Sequence, residues 1–257
     1  AASALLLGAV YKRNFKSEEG GRGAKARVKR FTRMLELPSL KDFVALVKFA
    51  GAIFGIIIGK LVCYSSLTLA ATRFGVTALA AHNVLLKIFF FFGTFGDSLS
   101  QSVQNFLPTV YTADPDPVSR SFKKFEKFLL LLGMACSVFF SVAAGGLTGS
   151  RSLAGLFTTD GPILSLMTSS SPFLCLSLIL HPFVMLLEGS IIARRDNTFL
   201  LGSYGATFGL LWWQMRKATS LTSVWMGFTL FQLFRLAQFG FRYAMERSRP
   251  VDLSVET

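Results

Sequence analysis

From Val44 onward, long apolar runs alternate with short polar clusters. A helix needs about 20 mostly apolar residues to cross a bilayer's hydrocarbon core. Runs of about that length or more extend from Val44 to Thr72, Thr77 to about Tyr111, Phe128 to about Leu147, Ser165 to Ala193, Asn197 to Met215 and Ser220 to about Tyr243. Arg73, Phe74 and Gly75 mark a tight turn between the first two, and the polar stretch "TADPDPVSRSFKK" separates the next pair. The pattern predicts an all-α polytopic membrane bundle, with six transmembrane helices in residues 44–243. Residues 1–11 open with a largely apolar stretch, Ala1 to Val10, about half a span, and read as the end of a truncated transmembrane helix with more sequence expected before it. Residues 12–43 read as a basic cytoplasmic loop and 244–257 as a cytoplasmic tail.

Composition agrees: the 257 residues are 52% hydrophobic, include 27 phenylalanines and are only 16% charged. The net charge of +13 would suit a nucleic-acid binder if clustered on a folded surface. Its placement argues otherwise, because the basic residues lie between and beside the apolar runs, as the positive-inside rule expects of cytoplasmic loops. Lys12 to Lys41 alone holds ten Lys or Arg against three acids. It reads either as a flexible loop or, near Phe31 to Leu37, as an interfacial helix held by anionic lipid. Placing it inside also puts Arg120, Lys123, Lys124, Lys127, Arg194, Arg195, Arg247 and Arg249 inside. The opposite side keeps Arg73, Arg151 and the discordant pair Arg216 and Lys217. Cys63, Cys136 and Cys175 sit in separate apolar runs without metal-ligand or CxxC spacing, as small fillers of helix interfaces. No catalytic or metal-binding signature is present, and no cofactor or enzymatic activity is expected.

Polar residues inside the runs are the functional candidates, since a charge at the bilayer centre costs about 2.5–3.5 kcal/mol on insertion scales. Lys60 lies mid-span, beyond easy reach of either headgroup layer, and is expected either to line a cavity or to form a buried pair. In Thr77 to Tyr111, His82, Asn83 and Lys87 form an outer polar patch, and Asp97, Gln101 and Gln104 an inner one on a shared helix face, with Gly93 and Gly96 offering a bend. A water-accessible cavity between helices explains both patches. His82 reads either as a hydrogen-bonded interior residue or as a protonatable one. Asp97 reads as a structural partner or a coupling-ion carboxylate. Pro182 after His181 predicts a kink, and Glu188 is expected to pair with a basic group at the boundary marked by Arg194 and Arg195. Repeats at Gly51, Gly55 and Gly59 and at Gly205 and Gly209 are expected to be packing faces.

Four stretches carry a family resemblance. "LAAHNVLLKIFFFFGTFGDSLSQSVQNFLP" resembles the eighth helix of multidrug and toxic compound extrusion (MATE) transporters, particularly their plastid-type plant and algal branch. "GKLVCYSSLTLAATRFG" resembles the seventh, "PFVMLLEGSIIARRDNTFL" the tenth with its exit loop, and "FQLFRLAQFGFRY" the twelfth. The resemblance implies the C-terminal six-helix lobe of a twelve-helix antiporter, with a missing N-terminal lobe as partner and 12–43 as the connector. It departs from the many eukaryotic members that carry glutamates in the seventh and eighth helices, where Lys60, His82 and Lys87 stand instead, favouring an anionic or phenolic solute.

The function so implied is secondary active antiport, exporting a small organic solute (a xenobiotic, phenolic or organic anion) in exchange for H+ or Na+. Lys60, Tyr64, His82, Asn83 and Lys87 are the expected cavity residues. Asp97, Gln101, Gln104 and Glu188 are expected at the inner exit or in ion coupling. The bilayer, the solute, the coupling ion and the other lobe are the expected partners, with no nucleic acid. The expected location is the plastid envelope, or otherwise the plasma membrane or an endomembrane. The alternative is a non-transporting membrane scaffold or a half-transporter lobe that needs a partner.

Overall fold

The computed structural model describes residues 40–113 and 120–246. The expected helix stub at 1–11, most of the basic connection and most of the tail lie outside the described residues. The chain divides into two compact units, Ala1–Ala50 and Gly51–Thr257. Of the first, only the opening of a helix is described, with Leu40, Phe43, Val44 and Val47 exposed along it.

The described elements are α1 (Leu40–Thr72), α2 (Val76–Ala113), α3 (Arg120–Gly149), the one-turn α4 (Arg151–Ala154), α5 (Gly161–Ala193), α6 (Asn197–Lys217) and α7 (Leu221–Glu246). The six long helices fall on the six apolar runs. Several begin earlier than their runs: α1 at Leu40, α3 at Arg120 and α5 at Gly161. Hydropathy marks where a helix meets hydrocarbon, and backbone hydrogen bonding carries the helix on into the interface.

Four of these helices are long and apolar enough to cross a membrane, over Ile53–Thr72, Val76–Val110, Ser121–Gly149 and Gly161–Ala193. The other two are diluted by polar residues that turn out to be buried, among them Ser203, Tyr204 and Thr207 in α6 and Thr229, Gln232 and Arg235 in α7. Their direction in the bundle completes the alternation. Antiparallel neighbours are α1 and α2, where Thr68 meets His82 and Tyr64 meets Phe89, and α3 and α5, where Ser137 donates to the Ile179 carbonyl and Thr148 meets Ser171. α6 also runs against α7, with Met215 facing Gly227 and Tyr204 facing Phe239. Parallel neighbours are α2 and α5, with Gly93 on His181 and Ser100 on Gly189, and α5 and α7, with Ser170 on Thr222 and Ser177 on Thr229. The chain is thus a multi-pass, up-and-down membrane bundle.

α5 is the central helix, packed against α2, α3 and α7, while α1 reaches the bundle mainly through side chains. Asp160 caps its first turn by accepting from the Ile163 N–H, the remedy for an unpaired helix N-terminus. The α1–α2 turn passes through Gly75 at φ 89°, a left-handed conformation that glycine adopts without a Cβ clash. On α3, Phe128, Leu131, Met134, Val138, Phe139 and Val142 are exposed at spacings of three and four. That stripe suits acyl chains.

Between helices in lipid the hydrophobic effect is weak, so close packing and interhelical hydrogen bonds hold the bundle. Gly189 shows the first: a Cβ there would sit 2.5 Å from the Ser100 carbonyl oxygen. Gly55 and Gly59 similarly face Leu201 and Tyr204, at 2.8 and 3.2 Å from a would-be Cβ. Gly51, Gly205 and Gly209 meet nothing within 4 Å, so the later pair is not a packing face within the described bundle. Gly189→Ala is expected to destabilise the protein by about 1–3 kcal/mol through overpacking, and Gly205→Ala to be near neutral or slightly stabilising. Thermal unfolding of the two variants in detergent measures the difference.

Candidate functional site

Glu188, on α5, is 1% exposed and holds three donors from three other helices. Lys60 Nζ on α1 lies 2.5 Å from Oε1. Arg235 Nη2 on α7 lies 2.6 Å from Oε2. The Tyr204 hydroxyl on α6 donates to Oε2 at 2.7 Å, and Arg235 Nη2 also bonds that hydroxyl. Gly59, one residue before Lys60, lets the Tyr204 Cβ lie against the α1 backbone. Glu188 therefore does not pair at the Arg194–Arg195 boundary as expected. It sits almost two turns before that boundary and points inward, whereas Arg194 Nη1 donates to the Glu246 carbonyl and Asp196 takes Arg242 at 2.6 Å.

The cluster continues as a chain of hydrogen bonds. Arg235 Nη1 donates to Gln232 Oε1 at 3.0 Å, and Gln232 Nε2 is 3.0 Å from His181 Nδ1. Because guanidinium has only donors, it fixes which way the amide points, and the amide's NH2 then requires His181 Nδ1 to accept. The imidazole proton accordingly sits on Nε2, 3.3 Å from the Gly93 carbonyl it faces on α2. Gly93 and Gly96 form the seat of this ring, with a Cβ at Gly96 falling 2.7 Å from His181 Cδ2. Their role here is to admit an imidazole.

The candidate cavity residues do not form one site. His82 is 1% exposed and faces the interior, where it shares a 3.2 Å hydrogen bond with Thr68 and packs at 5.8 Å from Trp225. Asn83 and Lys87 lie on the exposed side of α2. Tyr64 is half-buried among Phe89, Phe90, Phe228 and Phe231. Asp97 and Gln101 are exposed, and Gln104 turns partly inward to donate to Ser100 Oγ at 3.2 Å. Asp97 makes no hydrogen bond or ion pair among the described residues, yet lies within electrostatic reach of Lys60, Glu188 and Arg235.

Six exposed polar positions of α2 line up. Asn83, Lys87, Thr94, Asp97, Gln101 and Asn105 are all exposed, and with Phe90 between Lys87 and Thr94 they step by three or four residues along one helix face. Lys60, whose side chain is 24% exposed, connects the buried cluster to the outside of the bundle.

Arg235, Gln232, Tyr204 and His181 are not among the sequence-derived site residues. The rule that selects Lys60, a charge far inside an apolar run, would also have selected Arg235, and Gln232 stands three residues before it on the same face. Among the described residues no three His, Cys, Asp or Glu side chains are placed to hold a metal ion.

An alternating bundle of long apolar helices joined by buried ion pairs defines an integral, multi-pass membrane protein. The chain is 27% identical over 174 residues to Protein DETOXIFICATION 47, chloroplastic, of Arabidopsis thaliana, a member of the MATE family. The match covers 67% of this chain and 31% of that protein, so the similarity spans about a third of the relative's length. It supports the resemblance to the plastid-type MATE branch. No family model matches the chain, and no solved structure matches it.

Glu188→Gln is expected to destabilise the bundle by about 3–5 kcal/mol, because it leaves Arg235 and Lys60 without their counter-ion. Lys60→Met is expected to cost clearly less, since Arg235 still balances the charge and, with Tyr204, holds Oε2, and the site of Lys60 is open enough for water to reach Oε1. Thermal unfolding in detergent ranks the two. An equal loss in both would mean that the three donors act as one unit.

Proposed function

We propose that the chain forms the six-helix lobe of a secondary active antiporter that exports a small organic solute in exchange for H+ or Na+. Residues 44–243 are the lobe and 12–43 the connector to a second lobe. The observation that carries this reading is the exposed polar stripe of α2. Inside a membrane-spanning helix, Asn83, Lys87, Thr94, Asp97, Gln101 and Asn105 are costly against hydrocarbon. Such a face belongs to a water-filled cavity or another protein surface, and a cleft between two lobes supplies both. Secondary transporters place their sites near the bilayer midplane between such halves.

In this arrangement Lys60 is the solute-binding cation at the edge of the buried cluster, and Asp97 is the exposed carboxylate available to a coupling ion. Tyr64 offers an aromatic wall beside Lys60. An anionic or phenolic organic solute matches a lysine ammonium with aromatic neighbours. The relative's name, with the words detoxification and chloroplastic, supports an efflux role and the plastid envelope as the site of action.

Two measurements test this. In a background lacking Cys63, Cys136 and Cys175, Gln101→Cys is expected to react with a membrane-impermeant maleimide, and Phe139→Cys on the acyl-chain face to stay unlabelled. The complete gene product in proteoliposomes is expected to carry fluorescein or benzoate against an imposed H+ or Na+ gradient. Lys60→Ala and Asp97→Asn should each reduce that flux at least tenfold while leaving the protein folded. Unchanged flux in both variants would remove Lys60 and Asp97 from the mechanism, and no gradient-driven flux of either anion by the unsubstituted protein would remove the transport reading.

A further inference from the structure

At the end of the bundle away from Arg194 and Arg195, Arg73 and Arg216 line one pocket, with Lys217 next in sequence. It lies between the C-terminal ends of α1 and α6, encloses about 130 Å³, and is lined by Leu69, Ala70, Arg73, Trp212, Met215 and Arg216, together with Ser66. That volume is roughly four waters' worth, enough for a phosphate group. Its walls are apolar and its rim is cationic. Arg73, Arg216 and Lys217 are all exposed, and none has a carboxylate partner among the described residues.

Part of this positive charge serves the fold. Arg73 Nη2 donates to the Met215 carbonyl in the last turn of α6, and Lys217 lies 3.9 Å over the Trp213 ring. Basic groups also suit the negative end of a helix dipole. The two helix ends together amount to about one negative charge, against the two lining arginines with Lys217 beside them. The remaining guanidinium nitrogens of Arg73 and the whole of Arg216 are left for an outside anion, and guanidinium matches phosphate oxygens in a two-pronged geometry.

Position narrows the class of anion. The pocket lies where two spans end, beside Trp212 and Trp213, which are 44% and 54% exposed. Tryptophan at the end of a span marks the headgroup level. Leu69, 59% exposed, continues the apolar wall towards the membrane interior. A headgroup phosphate fits the rim and its acyl chain fits the wall. We propose that this pocket binds the phosphate headgroup of an anionic phospholipid, a site separate from the Glu188 cluster and independent of the transport reading.

The test is tryptophan quenching of the full chain in vesicles of phosphatidylcholine with a fixed minor fraction of brominated lipid, either phosphatidylglycerol or phosphatidylcholine. Brominated phosphatidylglycerol is expected to quench at several-fold lower mole fraction than brominated phosphatidylcholine. The exposed pair Arg216→Gln and Lys217→Gln, which leaves the Arg73 cap intact, should abolish that preference, since each Lys or Arg near the surface contributes about 1 kcal/mol, or about fivefold. Arg195→Gln, at the other end of the bundle, should leave it unchanged. Equal quenching by the two lipids, or a preference that survives the paired substitution, overturns the site. Relief of the phosphatidylglycerol quenching by excess inorganic phosphate would overturn the lipid assignment in favour of a free anion.

Discussion

A carboxylate in the middle of a membrane protein has to be neutralised by its neighbours, and Glu188 recruits one donor from each of α1, α6 and α7. Helices in lipid gain little from burying apolar surface against one another. A hub of this kind therefore decides which helices meet and at what register. The glycine at position 59 follows from it, because Tyr204 must come close to α1 for its hydroxyl to reach Glu188. The serine and threonine pairs between α5 and α7 extend the same register towards the opposite end, at Ser177 with Thr229 and Ser170 with Thr222.

The hub also reaches the exposed side of α2. The Gly93 carbonyl that His181 faces is the one an α-helix pairs with the Asp97 N–H, four residues on. The route from Glu188 through Arg235, Gln232 and His181 thus ends on the helical turn that carries Asp97. α2 has two working faces in consequence. His82, Gly93, Gly96 and Ser100 belong to the inner one, and Asn83, Lys87, Asp97 and Gln101 to the outer one.

Much of this was legible in the sequence. Length and polarity of the runs located every long helix, because membrane helices satisfy their backbones internally and need only be apolar over a span. Lys60 stood out for the same reason. What escaped was pairing. His82 and Asn83 are adjacent in sequence, but neighbours on a helix point about 100° apart, so one is interior and the other exposed. Gly93 and Gly96 suggested a bend, since a single helix does not reveal the ring that fills its notch. Glu188 lies near Arg194 and Arg195 along the chain, but its partners are across the bundle, a distance the sequence does not display. Residues 1–39, which hold the expected helix stub and most of the 12–43 connection, lie outside the described residues.

The two cations of the hub are not equivalent. Arg235 is fully buried, bonds Glu188, Tyr204 and Gln232, and lies 5.0 to 5.5 Å from the centres of the Tyr204, Phe231 and Phe239 rings. A planar guanidinium so surrounded has one workable pose. Lys60 makes a single ion pair, retains some exposure, and carries a compact charge on a flexible stem. If Lys60 turns to an outside anion, Arg235 still balances the charge of Glu188 and, with Tyr204, holds its Oε2, so the bundle keeps its tie. If Arg235 left, Gln232 Oε1 would lose its donor and Glu188 Oε2 its charged partner at once. A membrane protein that must hold a fixed scaffold and yet offer one charge to a passing solute needs this division of labour, with arginine as the tie and lysine as the hand.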